Sequence, residues 1–312
     1  MQIYANRFFD LGAGAVIIGG GAYGCRKTNE TFGNLISQNI IERIGRRYHA
    51  ACGILMMHSY SNTVSHNDIS DTFYTGVSCG WVWGYSENIS RDNIIEKNHI
   101  HNIGQGVLSD MGGIYILGTQ PGTVMRNNVI HNVRSKHYGG HGIYTDEGTC
   151  YILVENNICY ENNSTAFNQH YGRMNTLRNN IFVKSEQEPV RSSKEELHIS
   201  IVLERNIIVS DGTASYRAGY GGKETGFFHK ISGNRNLLFN TKGNVNVFSV
   251  EGREFNLEEM QNNYGLEHGS IIADPKFKDY ENNDFELLSD SPAFDIGFEP
   301  IDVSDIGVTV KL

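Results

Sequence analysis

An asparagine followed within two positions by an aliphatic residue recurs along most of this chain. Successive aliphatic landmarks are separated by 23 to 31 residues. Self-similarity at a period of roughly 20 to 50 residues indicates stacked units, each of which buries its apolar face against the next. The chain is therefore predicted to form a solenoid. The eight landmarks are Ile40, Ile69, Ile100, Val129, Ile158, Ile181, Ile207 and Leu237.

The composition favours a solenoid of strands over one of helices. The chain holds 35 glycines but only 5 prolines, and Gly and Asn enter left-handed turns easily. Segments such as GILMM, GVSCGWVW and GIYIL are short, rich in β-branched and aromatic residues, and bounded by turn formers. The prediction is an all-β, right-handed parallel β-helix of about 8 to 10 coils. Asparagine side chains are expected to form ladders between the coils.

The repeats predict a domain boundary near residue 240. Residues 1–240 form the β-helix in this interpretation, and residues 241–312 form an irregular cap packed on the end of the solenoid. The segment FNLEEMQNNY at 255–264 is predicted as a short helix. The N-terminus begins in strand-like sequence and shows no signal peptide, which suggests a chain trimmed from something longer.

Charge and cysteine content exclude several classes of function. A net charge of −9 disfavours nucleic acid as a partner, and no apolar run reaches the roughly 18 residues of a membrane span. The five cysteines lack metal-binding spacing and are predicted to be buried apolar residues, so no metal site and no cofactor are predicted. Five histidines are interpreted as structural: His58, His99, His101, His131 and His141.

A second landmark, a glycine before an apolar residue, fixes the register of one face. Gly53, Gly113 and Gly142 each lie 16 positions before an aliphatic landmark. The residues that directly follow these glycines should point inward, because side chains alternate along a strand. Tyr115 and Tyr144, two positions after their glycines, should point outward.

The outward positions predict one wall of a groove. With Ala166 as the next landmark, Asn168 stacks on Tyr144. In the same register His170 stacks on Asp146, about 4.8 Å away. The alternative for His170 is a structural histidine within the stack.

Two pairs of carboxylates are candidates for acid–base chemistry. Asp110 and Asp146 are the favoured pair, but they share a site only if the chain turns sharply at Gly112 and Gly113. Asp146 with Glu147 is the weaker pair, because neighbouring residues of a strand face opposite ways unless a turn begins after them. Paired carboxylates beside a groove suit glycosidic bond cleavage. The alternative is that these residues accept backbone N–H groups at coil corners.

One coil carries an aromatic insertion that contains Trp81 and Trp83. Aromatic faces suit the apolar face of a pyranose ring, so the two residues are candidates for a sugar-stacking platform. The alternative is that they pack the inserted loop onto the solenoid.

At this level of detail the chain resembles bacterial β-helix proteins of glycoside hydrolase family 141. Members of that family are secreted enzymes with α-L-fucosidase and xylanase activities on plant cell-wall glycans, and they usually carry a longer N-terminal β-helix portion. The resemblance thus implies an extracellular or periplasmic protein that begins where that portion ends. It is carried by the segments 65–85, 99–133, 138–160 and 167–182, with motifs that include SDMGG and YTDEG.

The resemblance also implies roles for individual residues. It makes Asp110 of SDMGG and Asp146 of YTDEG the catalytic carboxylates. It implies further substrate contacts from His170, Tyr171, Glu196 and His198. Register and composition add Tyr115, Tyr144, Glu147, Trp81 and Trp83 to the predicted substrate-binding set.

The sequence predicts a monomeric glycoside hydrolase with a carbohydrate substrate, and two other classes stay open. A polysaccharide lyase or epimerase abstracts a proton beside a carboxylate and usually needs a Lys or Arg base, or Ca²⁺ held by clustered acids. A non-catalytic carbohydrate-binding β-helix, similar to tailspike modules, would need groove aromatics without paired acids at catalytic separation.

Overall fold

The structure, a computed structural model, describes residues 1–194, 196–219, 231–250 and 252–311. Within these residues the chain winds through three long sheets, passing from sheet A to sheet B to sheet C in each coil. The sheets contain 9, 10 and 10 strands, in agreement with the predicted number of coils. The described strands pair in parallel except at the end of sheet C and in one short pair of the C-terminal tail, so the architecture is the predicted parallel β-helix.

The strands of each sheet come from successive coils. Sheet A comprises β1 (Gln2–Tyr4), β5 (Leu35–Ser37), β9 (Thr63–Ser65), β12 (Ile94–Glu96), β15 (Val124–Arg126), β19 (Leu153–Glu155), β23 (Asn175–Arg178), β26 (Ile201–Glu204) and β29 (Ile231–Asn234). Sheet B comprises β2 (Arg7–Phe9), β6 (Ile40–Ile44), β10 (Asp68–Thr72), β13 (His99–Ile103), β16 (Val129–Val133), β20 (Ile158–Tyr160), β24 (Ile181–Phe182), β27 (Ile207–Ser210), β30 (Leu237–Asn240) and β33 (Ile271–Ile272).

Sheet C carries the groove described below. It comprises β3 (Val16–Gly19), β7 (Ile54–Met57), β11 (Val77–Gly80), β14 (Met111–Leu117), β17 (Gly140–Thr145), β21 (Phe167–Gln169), β25 (Val190–Ser192), β28 (Tyr216–Ala218), β31 (Asn246–Val250) and β32 (Arg253–Asn256). Short pairs join β4 (Thr31–Phe32) to β8 (Ser59–Tyr60), β18 (Thr149–Cys150) to β22 (Gly172–Arg173), and β34 (Phe277–Asp279) to β35 (Asp284–Leu287).

The glycine landmark gives the correct register in sheet C. Ile54, Val77, Ile114 and Ile143 stack on one another and are fully buried, as predicted. The landmark must be small because the next coil lies directly against it. A Cβ at Gly113 would lie 2.8 Å from a carbonyl oxygen of the next coil and would also meet the side chain of Ile130.

Asparagine side chains form the predicted ladder along the corner before sheet B. From Asn39 to Asn206 each Nδ2 donates to the Oδ1 of the next asparagine at 2.9 to 3.0 Å, and that Oδ1 also accepts a backbone N–H of the coil before. The last member, Asn236, donates instead to Glu267 at 3.0 Å. The ladder satisfies buried polar groups at every coil without placing a charge in the core. Its members are Asn39, Asn67, Asn98, Asn128, Asn157, Asn180, Asn206 and Asn236.

The aliphatic landmarks, in contrast, do not all occupy one position in sheet B. Ile69 and Ile100 point inward, whereas Val129, Ile158 and Ile181 occupy the outward position beside the ladder. The structure therefore corrects the predicted register of Ile69 and Ile100 by one residue. The physical reason is that Asp68 and His99 occupy the outward position in these two coils.

The C-terminal part does more than close one end of the solenoid. Helix α1 (Leu257–Tyr264) forms where predicted, with a capping box between Asn256 and Glu259 and a left-handed Gly265 at its C-terminus. Strands β31 and β33 lie beyond residue 240 yet continue sheets C and B.

The tail then runs back along the outside of sheet B. Phe285, Ala293, Ile296 and Phe298 pack on outward aliphatic residues such as Ile181, because this apolar face would otherwise be exposed to water. Hydrogen bonds from Gly307 to Lys97 and between Thr309 and Gln38 bring the tail to the early coils. No described helix has the length and apolar character needed to cross a bilayer.

Candidate active site

A sharp bend at Gly112 and Gly113 brings the two predicted aspartates together. Gly112 pairs with His141 across the coils, yet a Cβ at Gly112 would lie 3.0 Å from the Cβ of Tyr144 and 2.8 Å from the carbonyl oxygen of Ile114. Residues three apart on an extended strand are separated by about 10 Å. The two strands therefore fold sharply here, which meets the condition under which Asp110 and Asp146 can share a site.

The backbone of Asp110 is fixed on both sides. It adopts a left-handed conformation, with φ of +62°, which is uncommon for a residue other than Gly. Its N–H donates to the carbonyl of Tyr138 at 2.9 Å, and its carbonyl accepts the Tyr74 hydroxyl at 2.9 Å. These contacts hold the Asp110 side chain over β17.

The Tyr144 hydroxyl connects the two carboxyl groups. Its oxygen lies 3.2 Å from Oδ1 of Asp110 and 3.2 Å from Oδ1 of Asp146. The two Oδ1 atoms are therefore no further apart than twice that distance. Tyr115 donates a second hydrogen bond to Oδ2 of Asp146.

The positions of the protons on Asp110, Tyr144 and Asp146 follow from the chemistry of these three groups. Burial and the neighbouring charge of Asp146 raise the pKa of both Tyr115 and Tyr144, so the two phenols remain protonated donors. A tyrosine hydroxyl has one proton to donate, so Tyr144 cannot donate to both carboxylates at once. The arrangement is satisfied when Asp110 is protonated and donates to Tyr144, and Tyr144 donates to Asp146.

Electrostatics at Asp110 favour the same assignment. Burial and the charge of Asp146 raise the pKa of the Asp110 carboxyl above its ordinary value, although the Tyr144 hydrogen bond and His170 act in the opposite direction. Two nearby carboxylates with different surroundings are the arrangement in which one acid keeps its proton while the other is ionised.

The weaker carboxylate pair also shares the groove. Gly148 has a φ of +78° and approaches the Gly84 backbone closely, and this turn allows both Asp146 and Glu147 to line the cavity. Tyr171 donates a hydrogen bond to Glu147 at 2.9 Å. Glu147 is therefore a third acid beside the aspartate pair.

The aromatic insertion builds one wall. The Trp81 ring stacks on Tyr115, with centroids 5.9 Å apart, and its indole N–H donates to Ser78. Trp81 has a φ of +77°, a strained conformation for a large side chain. Trp83 packs edge-on against Trp81 and keeps 57% of its surface exposed. Trp81 therefore packs the inserted loop onto the solenoid, while Trp83 keeps an exposed face, and a role in sugar stacking stays a prediction.

The opposite wall continues the outward column of sheet C. Asn168 pairs with Tyr144 as predicted, and Arg191 follows Asn168 on the next coil. His170 lies two residues after Asn168 on the same coil and donates its backbone N–H to the carbonyl of Thr145. Arg191 was not predicted as part of this column, because Pro189 takes the place of the small landmark there and the surrounding segment is rich in charged residues.

These walls enclose a cavity of about 720 Å³, a size that accommodates a small ligand. Seven of the predicted residues line it: Trp81, Trp83, Asp110, Tyr115, Tyr144, Asp146 and Glu147; His170 makes an eighth. Lining residues that the sequence analysis did not select include Tyr74, His137, Tyr138, His141, Gln187 and Arg191. Tyr138 could have been suspected from its place beside the glycine pair before β17.

His141 illustrates a residue with a structural environment inside the site. It is buried, its Nδ1 lies 2.7 Å from the Thr165 hydroxyl, and its ring packs edge-on against Tyr144. Burial lowers the pKa of His141 to about 3, so the ring is neutral at physiological pH. It supports Tyr144 from below.

The remaining predicted contacts lie outside the cavity lining. Glu196 accepts a hydrogen bond from Tyr85 and lies 3.1 Å from Nε2 of His198. This cluster is linked to the groove through Tyr85, whose ring packs edge-on against Tyr171. Tyr171 itself contacts the site through Glu147.

Comparisons with known proteins agree with the fold. The beta-helix family, described as a right handed beta helix region, matches residues 81–200. A solved structure described as a glycoside hydrolase is 24% identical with a TM-score of 0.52, and the match covers 57% of this chain but 32% of that one. The chain therefore spans about a third of that hydrolase.

A second solved structure, pectate lyase Pel9A, matches with a TM-score of 0.54 at 9% identity, over 99% of this chain and 90% of that one. No curated protein sequence matches this chain. At these identities the solved structures bear on the fold, and with the three parallel sheets they identify a right-handed parallel β-helix.

Proposed function

We propose that this protein is a glycoside hydrolase that uses Asp110 and Asp146 as its catalytic carboxylates. The observation that carries the proposal is the Tyr144 hydroxyl, which lies 3.2 Å from both carboxyl groups inside an aromatic-walled cavity. A protonated acid and an ionised carboxylate on either side of a sugar ring are the two groups that glycosidic bond cleavage requires.

Asp110 acts as the general acid in this proposal. Its raised pKa keeps a proton available, and that proton passes to the glycosidic oxygen as the bond to the anomeric carbon breaks. Asp146, which accepts hydrogen bonds from Tyr115 and Tyr144, attacks the anomeric carbon. Water then releases the sugar while Asp110, now ionised, takes a proton from that water.

The separation of the carboxyl groups favours retention of configuration. Retaining pairs lie about 5 to 5.5 Å apart, whereas inverting pairs lie about 6.5 to 9.5 Å apart. The distance between the two Oδ1 atoms is at most twice 3.2 Å. This limit is shorter than the separation of an inverting pair. We therefore propose a double displacement through a glycosyl ester on Asp146.

The substrate proposed is a plant cell-wall glycan bearing α-L-fucosyl or xylosyl units, as the resemblance to glycoside hydrolase family 141 implies. Trp83 and Tyr138, both more than half exposed at the cavity, supply faces on which sugar rings can stack. Secretion of the protein follows from the same resemblance and is part of the proposal.

The lining gives less support to a lyase. Among the described lining residues the strong cation is Arg191, and its guanidinium is held by Glu188 and Gln187. It is therefore not free to serve as the base that abstracts a proton beside a uronate carboxylate.

A substrate screen tests the proposal. The purified protein is incubated with aryl α-L-fucosides, aryl β-xylosides, xylan and polygalacturonate, and reducing ends and absorbance near 235 nm are recorded. Hydrolysis predicts new reducing ends without ultraviolet absorbance. An unsaturated, absorbing product would establish the lyase instead, and saturable binding without turnover of any substrate would establish a binding module.

A further inference from the structure

A cluster of three histidines lies on the outward face of sheet B, on a different face from the groove. His99 stacks above Asp68, and His131 stacks above His101, on three consecutive coils. We call Asp68, His99, His101 and His131 the histidine cluster. In the coils from Ile40 to Leu237 the other residues at the position of Asp68 and His99 are aliphatic, as in Val129, so the cluster interrupts an otherwise apolar stretch of the column.

The proton on His99 is fixed by Asp68. Nδ1 of His99 lies 3.0 Å from Oδ2 of Asp68, and Nε2 of His101 lies 3.3 Å from Oδ1. The carboxylate of an aspartate accepts hydrogen bonds, so Nδ1 of His99 carries the hydrogen.

The proton on His131 is fixed by Asn132. Nδ1 of His131 lies 2.6 Å from Oδ1 of Asn132. The amide orientation follows from its other contact, because Nδ2 of Asn132 donates to Glu161 at 3.2 Å. Oδ1 must therefore accept, and Nδ1 of His131 carries the hydrogen.

As a result, two unprotonated nitrogens face each other. Nε2 of His99 and Nε2 of His131 are 3.0 Å apart, and in neutral rings each presents a lone pair to the other. A cation between the two lone pairs would remove the repulsion.

We propose that His99 and His131, completed by His101, bind one divalent transition-metal ion of the Zn²⁺ class. A tetrahedral zinc ion with Zn–N bonds of about 2.05 Å holds two nitrogens about 3.3 Å apart, close to the observed 3.0 Å. One ring nitrogen of each histidine lies within 4.8 Å of the others. The His101 ring now stacks on both neighbours and must rotate to direct its nitrogen to the ion.

The surroundings resemble those of a structural metal site. Asp68 orients His99 as a carboxylate often orients a metal-binding histidine through its second ring nitrogen. Imidazole donors select Zn²⁺, Cu²⁺ or Ni²⁺ over Ca²⁺ and Mg²⁺. The ion would join β13 to β16 beside the C-terminal tail, where Gly307 contacts His99 and donates to Lys97. This inference is independent of the proposed hydrolase.

Metal titration of the intact chain tests the site. Protein freed of metal with a chelator is titrated with Co²⁺, and the visible absorption of a nitrogen-bound ion is followed before and after adding Zn²⁺. We expect saturation at one equivalent, displacement by Zn²⁺, and a rise in melting temperature with Zn²⁺ but not with Mg²⁺. Absence of a saturable Co²⁺ spectrum in the folded wild-type protein would overturn the proposal without any variant.

Variants locate the ion. The His99→Gln/His131→Gln double variant should lose binding at least a hundredfold, and Asp68→Asn should weaken it about tenfold or more. His49→Gln is the matched control, because His49 is an exposed histidine packed on Phe73 and should bind as wild type does. Wild-type affinity in the folded double variant, or loss of binding in the His49 control, would contradict the assignment.

Discussion

The asparagine ladder and the carboxylate–tyrosine chain are both buried polar networks, yet they are built in opposite ways. In the ladder every coil supplies the same neutral group, and each amide donates to one neighbour and accepts from the other. In the groove Asp110, Tyr144 and Asp146 form one hydrogen-bonded series of unlike groups, in which Tyr144 has a single proton for its two carboxyl neighbours. The repeated asparagines form a scaffold whose buried polar groups are all hydrogen-bonded. The groove residues do not repeat, and they form a site in which a proton can move between groups.

The largest loss of activity is expected when the carboxylate of Asp146 is removed. Asp146→Asn should lower kcat/KM by about 10⁴-fold or more, because the attacking group is lost. Thermal stability should change by about 1 kcal/mol or less, since the neutral amide keeps the size of the side chain. Kinetics on a responsive aryl glycoside and a melting curve check both expectations. Glu147→Gln serves as the control, and a larger loss in that variant would move the role to Glu147.

Removing the acid should have a smaller effect that depends on pH. Asp110→Asn should lower kcat/KM by about 10² to 10⁴-fold for substrates with poor leaving groups. In the wild type, activity should fall as pH rises through the raised pKa of Asp110, because the proton is then absent. That basic limb should vanish in the variant when the leaving group needs no protonation. A basic limb that persists unchanged in Asp110→Asn would assign the proton to another group.

The raised pKa of Asp110 also makes the stability of the folded protein depend on pH, and the direction of this dependence is fixed. A carboxyl whose pKa is raised on folding stabilises the protein below its unfolded pKa and loses that contribution as pH rises through the folded value. The contribution of Asp110 to stability should therefore decline across this window, so the difference in unfolding free energy between wild type and Asp110→Asn should shrink as pH rises through it. Unfolding curves measured along a pH series would show the difference.

Removing one asparagine of the ladder should lower the stability of the protein and leave its catalytic activity unchanged. Asn128→Ala removes a side chain that donates to Asn157 and accepts from Asn98, with no exposed surface. Leaving these buried partners unsatisfied should cost about 3 kcal/mol. The exposed helix residue Asn263 is the control, and Asn263→Ala should be neutral. A folded Asn128→Ala protein with impaired kcat would break the separation between scaffold and site.

The smallest effect is expected at the rim of the groove. Trp83→Ala should raise KM by about tenfold with little change in kcat, because a stacking face that binds substrate and transition state alike contributes to binding alone. Tyr85→Phe, which keeps the ring beside Tyr171, should behave as wild type. A loss of kcat in Trp83→Ala would mean that the platform positions the reacting sugar.

The sequence predicted the fold and one side of the site because both follow from repetition. The glycine column of sheet C is forced by carbonyl oxygens of the next coil, as at Gly113, so it aligned Tyr144 with Asn168 correctly. The same register showed that Asp110 shares the groove only if the chain bends at Gly112 and Gly113, and the structure has this bend. The catalytic roles of Asp110 and Asp146 stay a prediction until variants are measured.

The features that the sequence did not predict lie where the repeat changes. In sheet B the aliphatic landmark shifted by one residue at Ile69 and Ile100, because Asp68 and His99 hold the outward position. That irregularity was the signal for the histidine cluster. The returning tail was missed because the outward column of Ile158 and its successors was not recognised as a face that needs covering.

The central claim is tested most directly by azide rescue of the two aspartate variants on an activated aryl glycoside. Azide should restore turnover in Asp110→Asn and yield a glycosyl azide of retained configuration, since it attacks the glycosyl ester on Asp146. In Asp146→Asn azide should replace the missing carboxylate and yield the inverted product. Wild-type turnover of either variant without azide, or the same product configuration from both, would contradict the assignment of Asp110 as acid and Asp146 as nucleophile.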